Sequence, residues 1–149
     1  MCLGGWSSDV GTSDRDRYWG EVVRRGGREA FGASHTWWHS KTARQQREWK
    51  TRCDRLLARW AELEAAGGSP GSPAAQEHAA AHVAWFTEIP GTPTHAGDRP
   101  RSAAMIRGLA GLYEANPDFH RAFGGAQAAS FAADALRVHV RAVEEGTAE

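Results

Sequence analysis

The chain has 149 residues, and its 18 basic side chains balance 18 acidic ones, so the formal net charge is zero. A chain of this length folds around one core without a disulfide or metal, and balanced charge offers no broad surface to phosphates. Nucleic acid and membrane headgroups are therefore not expected as partners, and no cofactor is expected either.

Only two cysteines occur, Cys2 and Cys53, and no apolar run approaches the length of a spanning helix. The start, Met1 to Ser7, has neither a basic nor an apolar stretch, so it does not read as a secretion signal. A reducing, cytoplasmic setting is the expectation. Seven tryptophans stand out, and Trp serves cores and ligand pockets equally well because it joins a large apolar area to one N–H donor.

In chain order, residues 1–13 are Gly- and Ser-rich and aperiodic, and read as a disordered lead-in to a domain over 14–145, with 146–149 as a tail. From Asp14 to about Phe31, Tyr18, Val22, Arg25 and Glu29 recur at helical spacing. Gly26-Gly27 interrupts this segment, since glycine costs about 1 kcal/mol inside a helix. Residues 32–41, with His35, Trp37, Trp38 and His39, are expected as a loop or short helical turn.

The clearest helix runs from Thr42 to Ala66. Thr42 and Gln45 have capping-box spacing, and Trp49, Cys53, Leu56, Trp60 and Leu63 share one face. Gly67 to Pro73 stops it. An Ala-rich helix over about 74–88 ends in Trp85-Phe86, and the following Pro-rich stretch, 89–100, is predicted to be a loop. A helix over about 102–115 shows Met105, Leu109, Leu112 and Tyr113 on its apolar side. Asn116 then caps a short helix carrying Phe119 and Phe123. Gly124-Gly125 precedes a last helix, about 126–144, with Phe131, Ala135, Val138 and Ala142 as its stripe. No segment alternates as a strand does, so the class is all-α.

This order of segments resembles the TipAS-type antibiotic-recognition domain, the drug-binding half of MerR-type regulators. Met105, Gly108, Leu109, Tyr113, Asn116 and Phe119 keep the spacing of that family's Met-His-x-Gly-Leu-x-x-x-Tyr-x-x-Asp-x-x-Phe run, with Ile106 in place of His and Asn116 in place of Asp. Gly26, Glu29, Ala30, Phe31 and Ser34 resemble an upstream segment, and Trp49, His78 and Trp85-Phe86 match further positions. The likeness covers about residues 15–142.

The resemblance implies a globin-like, orthogonal arrangement of five to seven helices around a broad ligand cleft. It also implies that a ligand orders the N-terminal helices and that Trp37 and Trp38 form a lid. Three departures qualify it. No Cys follows Trp85-Phe86, and neither Cys2 nor Cys53 falls there, so covalent capture is not expected. The connection from Phe86 to Met105 is longer than the family's turn. No helix-turn-helix pattern precedes residue 14, so the chain resembles a free-standing ligand-binding form.

The expected ligand contacts are Trp37, Trp38, His78, His82, Trp85, Phe86, Met105, Leu109, Tyr113, Phe119 and Phe123. The guest would be a peptide, thiopeptide or polyketide natural product, sequestered by a monomer or homodimer. For Phe119 and Phe123 the spacing on a short amphipathic helix favours core over ligand contact. His35/His39 and His78/His82 have a spacing that can hold a metal on a helix, but no third ligand is placed, so no metal is expected. Cys53 reads as a buried structural thiol. In the inserted stretch, His95, Asp98, Arg99 and Arg101 can hold a ligand carboxylate or serve acid–base work. The rival reading is a biosynthetic enzyme, with catalytic groups drawn from His95, Asp98, His82 and Glu88.

Overall fold

The computed structural model describes residues 28–147, with side chains from 32 to 146. The expectations for residues 1–27, the lead-in and most of the first helix, lie outside the described residues. Every regular element among those described is an α-helix, and the helices number seven. They are α1 (Arg28–Ser40), α2 (Ala43–Ala65), α3 (Pro73–Thr87), α4 (Pro93–Ala96), α5 (Arg99–Ala115), α6 (Pro117–Phe123) and α7 (Ala126–Thr147). None is long and apolar enough to cross a membrane.

Helix starts follow from local chemistry. Thr42 accepts a hydrogen bond from the Gln45 N–H while the Gln45 side chain accepts from the Thr42 N–H, the capping box that opens α2. Ser72, Thr92, Asp98 and Asn116 cap α3, α4, α5 and α6, each with a proline in the first turn. Proline is at home there because those N–H groups have no helical acceptor anyway. Prolines 93 and 100 therefore begin helices within a stretch that reads as structureless from composition.

That stretch is the main correction to the sequence reading. Residues 89–100 are folded: Ile89, Thr92 and Pro93 are buried, α4 interrupts the predicted loop, and α5 begins at Arg99 rather than about 102. The Thr92 hydroxyl lies 2.9 Å from the Ile89 carbonyl and 3.2 Å from the Phe86 carbonyl, to which it donates, and it accepts from the His95 N–H at 3.1 Å. Gly97, with φ +76°, closes α4 in a left-handed conformation that favours glycine.

Residues 32–40, expected within a loop or short helical turn, continue α1 as regular helix. Tertiary contacts hold it there: Trp38 is buried, and Ser34 donates to the Pro90 carbonyl at 2.9 Å. In α2 the fully buried leucine is Leu57, with Leu56 only partly covered. In α7 the buried face follows Phe131, Ala132, Ala135, Leu136 and Val140; Val138 is half-buried and Ala142 exposed, and the helix continues to Thr147 through the start of the expected tail.

Helix α7 is the central element and packs against α2, α3, α5 and α6. Its Ala128, Ala129, Ala132 and Ala135 are buried, and small side chains permit close helix approach. Two Arg–Glu pairs clasp α5 to α7: Arg137 grips Glu114 through both nitrogens at 3.0 and 2.5 Å, and Arg107 does the same to Glu144.

Candidate functional site

Nine of the eleven expected ligand contacts are buried. Trp38, His82, Phe86, Leu109, Tyr113 and Phe123 are at most 1% exposed, and Trp85, Met105 and Phe119 at most 5%. Only Trp37 and His78 keep part of their surface. The rings form a continuous seam. Trp37 meets Trp49 edge-on at 4.9 Å, Trp49 stacks on Trp85 at 5.1 Å, and His82 lies between Trp85, Phe86 and Tyr113. Tyr113 then contacts Phe119 and Phe123. The structure thus brings the predicted aromatics together, but against one another as core.

At the outer end of the seam, the Lys41 ammonium sits 4.6 Å from the Trp37 ring centre. The Arg52 guanidinium lies 5.3 Å from Trp49 while gripping Glu88 at 3.0 and 2.6 Å. A cation over an indole face is attracted by the ring quadrupole, so this end is held electrostatically as well as by area.

The histidines have structural partners. Trp60 donates its indole N–H to His82 Nδ1 at 3.0 Å, which places the imidazole proton on Nε2. Burial pushes His82 down to about 3, with His78 adding repulsion, so the ring is neutral. His78 donates from Nε2 to the Leu56 carbonyl at 2.8 Å, and burial lowers it also. Among the described residues, no group of three His, Cys, Asp or Glu side chains is placed to hold a metal.

The four candidates for acid–base work have separate engagements. His95 Nδ1 donates to the Thr87 carbonyl, Asp98 caps α5 by accepting the Arg101 N–H, Glu88 is held by Arg52, and His82 is sealed in the core. Cys53 is fully buried.

A hollow lies elsewhere. A cavity of about 400 Å³ opens between α3, α4, α5 and the C-terminal half of α7. Val83, Pro100, Ala103, Ile106, Val140 and Val143 form aliphatic walls. Thr94, Asp98, Arg99, Ser102, His139 and Glu144 supply its polar groups. Of the residues singled out from the sequence, Asp98 and Arg99 line it, and none of the eleven expected ligand contacts does.

Two features kept the rest of this site out of the sequence reading. On α5, Arg99, Ser102, Ala103 and Ile106 recur at intervals of three and four and face the cavity, next to the core face of Met105, Leu109 and Tyr113. Ile106 had registered only as the replacement for a family histidine. On α7, Leu136, Val140 and Val143 also recur at helical spacing, beside the expected stripe of Phe131, Ala135, Val138 and Ala142.

A family model described as the TipAS antibiotic-recognition domain matches residues 18–139. Comparison with curated proteins and with solved structures returned no match.

Proposed function

The chain belongs to the TipAS antibiotic-recognition family, a family of small-molecule binders, and from that premise we propose that it sequesters a bulky natural product without covalent attachment. The cavity between α3, α4, α5 and α7 is the observation that carries this reading. It falls in the size range of small-molecule sites, roughly 300–1,000 Å³, and has the expected make-up of apolar walls with a few polar groups. At about 400 Å³ it accommodates one arm of a large guest and leaves the rest outside.

Non-covalent holding is supported by the burial of Cys53, and sequestration by the separate engagements of His82, Glu88, His95 and Asp98. The aromatic seam links α3 to α5 through His82 and Tyr113, away from the cavity lining. Held stoichiometrically, an antibiotic falls in free concentration, which protects the cell that makes or meets it.

A thermal-shift panel of thiopeptide, peptide and polyketide antibiotics tests this. A compound at about one hundred times its Kd adds about 2.7 kcal/mol, which is about 5–10 °C in Tm for a domain of this size. The Val143→Trp variant fills the cavity mouth at a position already 44% exposed, and should keep its fold while losing the shift. If no compound moves Tm, or if the variant responds as the parent does, the proposal fails.

A further inference from the structure

We infer that the cavity selects guests bearing a carboxylate, with Arg99 at the mouth as its ion-pair partner and His139 as a second hydrogen-bond donor. This rests on the cavity being the ligand site.

The polar groups of the cavity divide into those already engaged and those left over. Glu144 is held by both nitrogens of Arg107. Asp98 accepts the Arg101 N–H at 3.2 Å, and the Arg101 guanidinium lies 4.0 Å from its other oxygen. The hydroxyls of Thr94 and Ser102 are bonded to each other at 2.6 Å. Both carboxylates and both hydroxyls therefore have partners within the protein.

Arg99 and His139 remain. Among the described residues neither forms a hydrogen bond or an ion pair, and both line the cavity. Arg99 is the first residue of α5, exposed, at the α4–α5 edge. His139 is half-buried on α7, where burial lowers its pKa and keeps the imidazole neutral, with one N–H to give. A guanidinium offers donors only, in a fork that matches a carboxylate. A guest with an ammonium group meets the Arg99 charge unfavourably, and a neutral alcohol leaves that charge unanswered. An apolar body ending in a carboxylate satisfies walls and donors together.

The test uses three isosteric probes, 2-naphthoic acid, 2-naphthalenemethanol and 2-naphthylmethylamine, titrated by calorimetry into the full chain. The acid is expected to bind at least about tenfold tighter than the alcohol, since hydrogen bonds to charged groups contribute more than neutral ones. The amine should bind weakest. Arg99→Gln should bring acid and alcohol to near parity while leaving the alcohol unchanged, and His139→Phe should weaken the acid by about threefold. Equal binding of acid and alcohol by the parent, or a preference that survives Arg99→Gln, overturns the carboxylate inference alone, provided Val143→Trp still abolishes binding. Absence of binding by all three probes, or indifference of all three to Val143→Trp, removes the cavity site and this inference with it.

Discussion

The buried Trp60–His82 hydrogen bond ties α2 to α3 and makes folding sensitive to acid. His82 titrates near 3 when folded, against an ordinary value of about 6.5 when unfolded, so between these limits the unfolded chain binds the extra proton. Stability is full above about pH 6.5 and falls as pH drops toward 3, by up to about 1.4 kcal/mol per unit. Partly buried His78 and His139 are lowered too and act with the same sign. Urea melts between pH 7 and 4 should show this slope, and His82→Gln should flatten it. A parent chain with equal stability at both ends of that range would contradict the assignment. At this scale the sequence was partly legible. Cys53, Trp60, Phe119 and Phe123 were readable as buried from spacing alone. Whether Trp85 or Tyr113 faced a guest or a neighbouring ring was not, because an aromatic side chain suits either surrounding and only the packing partner decides.

Among the elements, the turns that redirect the helices carry distinct loads. Gly124 ends α6 with φ +93°, and a Cβ built there would meet the Ala61 Cβ of α2 at 3.2 Å. Gly97 also has positive φ, but a Cβ there meets nothing within 4 Å. Gly97→Ala should therefore cost about 1 kcal/mol of conformational strain, whereas Gly124→Ala should cost more, because crowding at the α2–α6 contact adds to the strain. Denaturation midpoints compare the two directly, and equal losses would show that the crowding relaxes freely. Elements with strong local signals, the capping box of α2 and the Asn116 cap of α6, were found close to their observed ends; α3 was placed within a residue of its start, although its Ser72 cap and Pro73 read only as part of a turn. Two were not: α1 lacks a clean apolar stripe between Gly32 and Ser40 and depends on Trp38 and Ser34 reaching other parts of the chain, while α4 was hidden because proline was taken as a stop where it is a start.

For the whole molecule, the bond from Ser34 to the Pro90 carbonyl joins α1 to the segment that leads into the cavity wall. Ser34→Ala removes the donor and leaves a part-buried carbonyl without it, at a cost of about 1–3 kcal/mol if water cannot replace it. Amide exchange should then quicken in α1 while α5 and α7 keep their protection; uniform acceleration would mean that α1 is integral to the global unit rather than a separable layer. The all-α class and the family were legible because helical periods and motif order survive in a single chain. The cavity was not, since it forms only where single residues of α3 and α4 meet clusters on α5 and α7, and none of these sets carries a motif of its own.

The aliphatic lining has a practical corollary. Among the described residues no indole or phenol borders the chamber, so an occupant can settle there without touching any of the described chromophores, and the intrinsic emission of the described tryptophans reports the state of the seam. An environment-sensitive dye, dim in water and bright against valine and isoleucine, turns the same property to advantage: it lights up on entry and goes dark when a colourless competitor displaces it.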